Sequence, residues 1–357
     1  MINWIERLPA YTGSGLLLAA DGGATNCRVV ICDPDGTMRG YFKAHGRPTN
    51  ARAVGEAVAA ANLVFTVESA IADAGVRSSE IETALITSAS VDTDARSALL
   101  SGSLAAAGLG AANVATVPDT MGCWASTKQL APAVAVISGT GSVAIAADRD
   151  RGIWRRFGGW DFLLGDEGSG YALGRRALQE TMLYFEGRSP AKALAEAVMA
   201  RWGGDDPDGL PDAVHVPAID KAWIASFARL VLDAAAAGDE RASQLVDEEV
   251  SPLADAALAG VRVIDGHAGG GAVPLGLFGG IAKQPLFQER FRRCVSSQWE
   301  GEIEFIIPDH SALVGAAALG MIDRPLDERT EALNRLDASV DIAVAKADAA
   351  AAAAGRH

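Results

Sequence analysis

Cysteine is scarce in this sequence, and its spacing excludes several kinds of site. The 357 residues contain four cysteines, Cys27, Cys32, Cys123 and Cys294, and none forms a Cys-x-x-Cys pair. Structural zinc and iron–sulfur sites depend on such close spacing, so we expect neither. So few cysteines also argue against a disulfide scaffold and favour reduced thiols in a cytoplasmic protein.

Basic clusters and long apolar runs are missing as well. Lys and Arg number 31 against 45 Asp and Glu, which gives a net charge of −14. That field repels a polyanion, so we expect no nucleic-acid partner. No apolar run reaches the roughly 18 residues that a membrane span needs. The N terminus lacks the basic and apolar regions of a signal peptide, in keeping with a cytoplasmic location.

Glycine, by contrast, is abundant, and several of the 39 glycines follow short apolar runs. The runs 16–20, 134–137 and 273–278 each lead into a glycine pair or a Gly-x-Gly turn. Such runs predict buried strands, and the Ala-rich stretches between them have helical spacing. The pattern predicts an α/β chain, and its length exceeds what one hydrophobic core usually holds, so we expect two domains.

One glycine motif matches a dinucleotide-binding fingerprint but lacks its structural context. Residues 139–144, Gly-Thr-Gly-Ser-Val-Ala, fit the pattern Gly-x-Gly-x-x-Gly/Ala. That motif requires a helix directly after the loop. Here residues 142–147 alternate and a turn follows at 148–150, which predicts a β-hairpin. Because no Gly-x-x-x-x-Gly-Lys-Ser/Thr motif occurs either, we expect neither a Rossmann domain nor a P-loop.

Two hairpin loops remain as candidates for phosphate binding. Loop 21–26 contains an Asp and two glycines, and loop 138–142 contains two glycines beside Ser and Thr hydroxyls. Glycines allow close backbone approach, and successive N–H groups can bind an anion. An Asp beside a phosphate loop is consistent with Mg²⁺ and a nucleotide, whereas two ordinary glycine turns are the alternative. The third junction, 277–282, is expected to open a helix against which adenine can lie.

The order of these parts resembles a known superfamily. The first hairpin, Pro-Asp-Thr-Met-Gly at 118–122, the loop 138–142, Gly-Gly-Trp at 158–160, Gly-Asp-Glu-Gly-Ser at 165–169 and the glycine pair at 279–280 follow the order of sugar-kinase/actin-like ATPases. Within that superfamily, residues 15–322 resemble the N-acetylglucosamine kinase and BadF/BadG-type ATPase family. The resemblance implies an α/β fold with two actin-like, ribonuclease H-like ATPase domains flanking an interdomain cleft.

The expected domain boundaries follow from this resemblance and from composition. We expect a leader at 1–14, an N-terminal actin-like domain at 15–130 and a C-terminal nucleotide-binding domain at 131–312. A helix at 313–322 is expected to return to the N-terminal domain. Residues 323–357 become almost pure Ala and have little to bury. They are predicted to form a helical or flexible tail that belongs to neither domain.

The resemblance also implies which residues bind Mg-ATP. The first hairpin corresponds to the family's first phosphate loop, the second hairpin to its second phosphate loop, and the third junction to its adenosine motif. The residues so implied are Asp21, Gly22, Gly23 and Thr25, then Gly139, Thr140, Gly141 and Ser142, and finally Gly279 and Gly280. Asp21 would hold Mg²⁺ through water.

A second set is implied for the sugar, each with a plainer alternative. Asp119 matches the family's catalytic aspartate and would act as general base; the alternative is a helix N-cap. The Asn50 alternative is a turn residue, the Asp166 alternative a solvated helix start, and Trp160 could equally pack in the core. The full set of implied sugar-binding residues is Asn50, Ser90, Asp119, Gly159, Trp160, Asp161 and Asp166.

The implied activity is phosphorylation, by ATP, of a hydroxyl (O6 is expected) of an amino sugar such as N-acetylglucosamine or glucosamine, by a homodimer. One alternative is a BadF-type ATPase that activates a partner enzyme, which requires interface cysteines for an iron–sulfur cluster that this sequence does not arrange. A non-catalytic sugar or nucleotide sensor is the other alternative. The intact Asp21, Asp119 and both phosphate loops argue against it.

The sequence departs from the family pattern at two places. Residues 87–90 read Thr-Ser-Ala-Ser where the family usually has a glycine-rich stretch, and Asp161 follows Trp160 where Gly is common. An extra carboxylate near the sugar would favour a protonated amine over an acetamide, so Asp161 suggests a preference for glucosamine.

Overall fold

The fold contains two five-stranded sheets with equivalent strand orders, since the order of the second sheet matches that of the first when it is read in reverse. The fold is described from a computed structural model, which covers residues 2–23, 25–215, 219–265, 271–307 and 312–353. The chain divides into two compact units. Unit 1 comprises the described residues of 1–131, 148–154 and 308–357, and unit 2 those of 132–147 and 155–307.

Sheet 1 lies in unit 1 and has the order β3-β2-β1-β4-β5. Its strands are β1 Leu16–Gly22, β2 Cys27–Cys32, β3 Met38–Ala44, β4 Ile81–Ser88 and β5 Asn113–Pro118. The first three strands form an antiparallel meander, and β4 and β5 add in parallel to β1. Every residue of β1 is buried, as a central strand covered on both faces requires.

Six helices accompany this sheet in the described part of unit 1. They are α1 Ala51–Val54, α2 Glu56–Ala74, α3 Asp94–Ser103, α4 Asp119–Lys128, α12 Ala312–Gly320 and α13 Leu326–Ala353. Short 3-10 helices occur at Trp4–Arg7 and Ser78–Glu80. The helix α12 is apolar on all sides and its residues 313–320 are buried, because it packs against α4 and β1.

Sheet 2 repeats the arrangement in the order β10-β9-β6-β7-β8. Its strands are β6 Ala133–Ser138, β7 Ser142–Asp148, β8 Ile153–Phe157, β9 Val273–Phe278 and β10 Ile303–Ile306. The strands β6 and β7 form the predicted antiparallel hairpin, and β9 and β10 add in parallel to β6. The loop between β6 and β7 is therefore the topological equivalent of the loop between β1 and β2.

Helices cover sheet 2 within unit 2. They are α5 Gly170–Phe185, α6 Lys192–Trp202, α7 Leu210–His215, α8 Lys221–Ala225, α9 Ala228–Ala236, α10 Glu240–Asp265 and α11 Pro285–Ser297, with a 3-10 helix at Pro207–Gly209. The core of the unit joins β6 and β9 to apolar faces of α5, α9, α10 and α11. Two mixed sheets covered by helices confirm the α/β fold class.

The ends of the chain differ from the sequence-based boundaries. Residues 2–14 are not a separate leader, because Trp4 and Tyr11 are buried in unit 1. The predicted tail is also wrong as a detached element: α13 belongs to unit 1 and buries Ala332, Leu333 and Leu336. The stretch 148–154, expected in the C-terminal domain, lies in unit 1.

One helix of unit 1 has the length and composition of a membrane span. Among the described residues, only α2 meets both criteria. It packs against β2 and β3, and it buries Leu63 and Val67 along one face. Gly75 ends it in a left-handed conformation (φ 62°) that glycine adopts without strain. A core helix of a globular unit has these same properties.

Candidate functional site

Two carboxylates lie at the carboxyl edge of sheet 1. Asp21 is the next-to-last residue of β1, and Asp119 directly follows β5 as the first residue of α4. Because β1, β4 and β5 are parallel, their ends meet at one edge, where α/β folds bind ligands. Burial, and after it the negative charge of Asp21, raises the pKa of Asp119 to about 6. Asp119 is thus ionised at neutral pH and able to accept a proton.

The position of Asp119 is fixed by backbone packing behind it. Gly122, one turn along α4, contacts α12 so closely that a Cβ on Gly315 would overlap the Gly122 carbonyl oxygen. Pro118 occupies the N-cap position, so the N-cap alternative for Asp119 is wrong. Asp119 Oδ1 instead accepts a hydrogen bond from the N–H of Thr120 at 2.8 Å. Asp119 Oδ2 takes no part in that bond.

Asp21 has a cationic partner that the sequence-based prediction missed. Arg28 on β2 lies directly opposite Asp21 in the antiparallel register, and the two side chains form an ion pair. Arg28 offsets one carboxylate charge, so Asp21 and Asp119 together keep a surplus negative charge. A divalent cation coordinated by oxygen ligands fits such a surplus. Counting cross-strand neighbours outward from the predicted hairpin turn would have identified Arg28.

Loop 21–26, the predicted first phosphate loop, packs closely at Gly22 against other residues of unit 1. A Cβ on Gly22 would overlap Thr49 Oγ1, whose hydroxyl lies 2.7 Å from the Ser88 hydroxyl at the end of β4. The Gly22 carbonyl accepts the N–H of Ala89 at 2.8 Å, and the Gly23 N–H donates to the Asn26 carbonyl at 2.9 Å. Thr25 is exposed on this loop.

Asn50 and Ser90 come together at the start of α1. Asn50 Oδ1 accepts the N–H of Arg52 at 3.1 Å, and Ser90 Oγ accepts the N–H of Ala51 at 2.9 Å. Asn50 thus caps α1, whereas its plainer alternative was a turn residue. Both bonds use side-chain oxygens as acceptors, so the Asn50 amide and the Ser90 hydroxyl keep hydrogens to donate. Ser90 has a φ of 67°, which explains why glycine would suit this position.

Loop 138–142 in unit 2, the predicted second phosphate loop, accepts hydrogen bonds at its carbonyl groups. The N–H groups of Gly170 and Tyr171, at the start of α5, donate to the carbonyls of Gly139 (2.7 Å) and Thr140 (3.1 Å). Within the described ranges, no protein acceptor is recorded for the N–H groups of Thr140 and Gly141. Free N–H groups on a glycine turn suit a phosphate oxygen, so this loop fits a nucleotide.

Gly279 at the end of β9 contacts the same loop. It has a φ of 95°, and a Cβ there would overlap the Ser138 carbonyl oxygen. That carbonyl also accepts the N–H groups of Ile281 (3.0 Å) and Ala282 (3.1 Å). Gly280 has open space around its Cβ position. The expectation that this glycine pair opens a helix is wrong: a turn follows it, and α11 begins at Pro285.

The segment 158–168 has an unusual backbone. Five of its residues have positive φ, and two of these, Asp161 (71°) and Asp166 (66°), are not glycine. Such conformations cost roughly 1–3 kcal/mol each and cluster at functional sites. At Gly159 a Cβ would lie 2.8 Å from Val143 Cγ2. The Trp160 side chain is 55% exposed under the Arg156 guanidinium, so its core-packing alternative is wrong.

One lysine joins the two strained aspartates. Lys221, the first residue of α8, donates from Nζ to Asp161 Oδ1 (2.8 Å) and Asp166 Oδ2 (2.6 Å). Asp166 is buried, and its Oδ1 accepts the N–H of Ser142 at 3.3 Å, so it is not a solvated helix start. The two carboxylates raise the pKa of Lys221 despite burial, which opposes the rise. No sequence motif pointed to Lys221, which lies 55 residues from Asp166.

Comparison with known proteins decides the family. The family model described as the BadF/BadG/BcrA/BcrD ATPase family matches residues 20–320. The chain belongs to this family. The match spans both sheets and includes every residue assigned above, and membership of an ATPase family implies ATP as the nucleotide. The matched range does not include α13 or the N-terminal segment that contains the buried Trp4.

Individual relatives agree with the family. A curated N-acetylmuramic acid/N-acetylglucosamine kinase of Clostridium acetobutylicum is 30% identical over 120 residues, 34% of this chain and 39% of that protein. The chain thus matches well under half of the length of this relative. A crystal structure of a candidate N-acetylglucosamine kinase from Chromobacterium violaceum is 25% identical with a TM-score of 0.68, and covers 86% of this chain and 99% of its own.

A second solved structure supports the fold alone. A candidate N-acetylglucosamine kinase from Porphyromonas gingivalis is 20% identical with a TM-score of 0.67, covering 87% of this chain and 99% of its own. The predicted fold class and the family resemblance are therefore both confirmed.

Proposed function

We propose that this protein is an ATP-dependent kinase that phosphorylates a hydroxyl of an amino sugar, with O6 of glucosamine or N-acetylglucosamine as the first candidates. The observation that carries the proposal is Asp119: a carboxylate with a raised pKa at the carboxyl edge of sheet 1, beside Asp21. The named activities of the relatives favour amino sugars over other acceptors.

In the proposed reaction Asp119 accepts the proton of the attacking sugar hydroxyl. Within unit 1, Asn50 and Ser90 are proposed as sugar-binding residues. The sugar-binding candidates of unit 2 are Gly159, Trp160, Asp161 and Asp166. Phosphates would be held by free N–H groups such as those of Thr140 and Gly141. Asp21 would hold Mg²⁺ through water. When bound, Mg²⁺ neutralises phosphate charge during transfer, and positioning supplies much of the remaining acceleration.

The activity is tested by ADP release in the presence of glucosamine, N-acetylglucosamine, N-acetylmannosamine, anhydro-muramic sugars and glucose. Sugar-dependent ADP release, with a product phosphorylated at O6 by NMR, supports the proposal. ADP release that no sugar accelerates would sink it. The resemblance to amino-sugar kinases of this family also favours a cytoplasmic location and a homodimer. Light scattering of the purified protein would test the homodimer.

The alternative of an iron–sulfur ATPase activator lacks suitable ligands. Cys27, Cys32 and Cys123 are buried, and burial raises the pKa of the Cys27 and Cys32 thiols to about 12. Iron–sulfur clusters bind thiolates. No observation favours this alternative over a sugar kinase.

The pKa of Asp119 sets an expected pH dependence. Because the pKa is raised to about 6, the general base becomes protonated as the pH falls through that value. We expect kcat/KM for the sugar, which follows protonation of the free enzyme, to be level above about pH 7 and to fall about tenfold per pH unit below about pH 6. The measurement uses N-acetylglucosamine, which does not titrate in this range. A kcat/KM that stays level down to pH 4.5 would contradict the assignment of Asp119 as base.

Asp161 is proposed to favour an ammonium-bearing sugar. Asp161, Asp166 and Lys221 together carry one net negative charge, which attracts a protonated amine and is indifferent to an acetamide. Asp161→Gly, which also suits the positive φ, is expected to lower the ratio of kcat/KM for glucosamine to that for N-acetylglucosamine by about tenfold. An unchanged ratio would remove Asp161 from sugar selection.

A further inference from the structure

Lys221 contacts three residues of one strained segment. Its Nζ bonds to Asp161 and Asp166, and it lies 5.7 Å from the centroid of the Phe162 ring. We use the name Lys221 bridge for Lys221, Asp161 and Asp166. The two carboxylates in it are the only two non-glycine residues of positive φ in the described part of unit 2. One ammonium therefore ties down both unfavourable backbone positions.

The bridge is itself held in place from behind. Asp220 Oδ1 accepts the N–H groups of Ala222 (2.9 Å) and Trp223 (3.0 Å) and thus caps the helix that begins with Lys221. That helix, α8, approaches α5 so closely that a Cβ on Gly174 would overlap the Ile224 carbonyl oxygen. A lysine fixed at both its backbone and its ammonium differs from a mobile surface ion pair, which contributes little.

The bridge is connected to the second phosphate loop. Asp166 Oδ2 bonds to Lys221, and its Oδ1 accepts the Ser142 N–H. Ser142 Oγ donates to the Glu167 carbonyl at 2.6 Å, and Ser138 Oγ donates to the Gly168 carbonyl at 2.6 Å. A displacement of Asp166 would therefore reach the loop proposed to hold phosphate. The Asp166 side chain is 5% exposed, so losing its cation would leave a nearly buried charge unpaired.

We propose that Lys221 is a positioning and specificity-determining residue of the sugar site, which holds Asp161 and Asp166 in place and neutralises one of their two negative charges. This inference rests on the proposed sugar kinase function. Of the two carboxylate charges, the ammonium neutralises one. The site then accepts neutral and cationic sugars and disfavours a sugar that bears a carboxylate, such as N-acetylmuramic acid.

The test compares Lys221→Met with Lys221→Arg and with Lys192→Met. Lys192 is an exposed lysine of the same unit whose ammonium lies 3.6 Å from Glu196, so it serves as a matched control. For Lys221→Met we expect the sugar KM to rise about tenfold or more through lost positioning. The preference for glucosamine over N-acetylglucosamine should rise about tenfold, because the charge becomes more negative. Lys221→Arg should restore most of both, and Lys192→Met should change neither.

Selectivity separates this role from a merely structural one. A variant that only loosens the fold lowers turnover of all sugars alike, whereas loss of the ammonium moves selectivity in the direction opposite to Asp161→Gly. If Lys221→Met leaves the sugar KM and the selectivity at wild-type values, the proposal is wrong. A selectivity shift toward N-acetylmuramic acid in this variant would overturn the charge argument.

Hydrogen exchange provides a readout that does not depend on catalysis. The N–H groups of Leu164 and Gly165 donate to the Asp161 carbonyl, and that of Ser169 donates to the Asp166 carbonyl. These amides and that of Ser142 should lose protection in Lys221→Met and keep it in Lys192→Met. Unchanged protection overturns the positioning role even if the wild-type protein phosphorylates sugars. Wild-type protein without sugar-dependent activity would refute the proposed function while this exchange test still decides the bridge.

Discussion

Replacing Asp119 with Asn is expected to lower kcat by about 10²–10⁴-fold, because the amide cannot accept the hydroxyl proton. Binding of ATP should persist, since the amide preserves the shape of the side chain and the bond from the Thr120 N–H. Steady-state ADP release measures the first effect and calorimetric titration of ATP the second. Retained turnover would remove Asp119 from the mechanism.

The same variant should be more stable than the wild-type protein at neutral pH. In the wild-type protein, burial and the charge of Asp21 raise the pKa of Asp119. The folded protein therefore binds the Asp119 proton more tightly than the unfolded chain does. Ionisation at pH 7 therefore costs stability, and an uncharged amide removes that cost. Asp94→Asn is the matched control, because Asp94 also begins a helix but is exposed beside Arg7. It should affect neither kcat nor Tm in this way.

Gly279→Ala is expected to have the second large effect. The alanine must adopt a φ of 95°, and its Cβ would overlap the carbonyl oxygen of Ser138, which is backbone and cannot rotate away. The two costs together should reduce the free energy of unfolding by at least about 2 kcal/mol. The displaced loop should also weaken ATP binding. Denaturant unfolding and ATP titration measure the two effects.

Gly187→Ala separates the two causes. Gly187 shares the positive φ (75°), but its Cβ position has nothing within 4 Å. It therefore reports the conformational cost alone, about 1–2 kcal/mol, and should leave ATP binding unchanged. If Gly279→Ala costs no more stability than Gly187→Ala and binds ATP normally, the close contact between Gly279 and Ser138 is not a constraint on the nucleotide site.

The sequence predicted those parts of the site that depend on local chain order. The β6–β7 hairpin could be predicted because alternation and a turn followed the Gly-x-Gly motif, whereas Asp119 was implied by the family resemblance of the Pro-Asp-Thr-Met-Gly motif that contains it. Both features need only neighbouring residues. Parallel strand pairing places the ends of β1 and β5 at the same edge of sheet 1, although the two strands lie about a hundred residues apart in the sequence.

Residues that act through tertiary contacts were not predictable in the same way. Lys221 stands alone in a helical region, and nothing local indicates that its ammonium meets Asp161 and Asp166. Their positive φ values likewise arise from packing, since Asp is compatible with several turn conformations. The start of α11 was misplaced because the two glycines of 279–280 resemble a helix opening, whereas their contact with Ser138 imposes a turn.

The misread C-terminal segment did contain a local signal. Leu333, Leu336 and Val340 are spaced as on one face of a helix, and all three are buried in unit 1. Composition alone does not reveal this row of apolar residues, here called the stripe, because the polar start and the Ala-rich end of α13 outweigh it. The stripe is short, but it suffices because the surface it covers is already formed by the first sheet.

The contact of α13 with the turn between β2 and β3 bears on how the protein is made. Arg335 Nη1 donates to the Asp35 carboxylate at 2.5 Å across 300 residues of chain, and a Cβ on the adjacent Gly36 would overlap the Ala332 carbonyl oxygen. Unit 2 lies within residues 132–307, whereas unit 1 needs residues from both ends. On the ribosome, the unit whose synthesis begins first is therefore the last that can finish folding, and its turn between β2 and β3 stays uncovered while unit 2 emerges and folds.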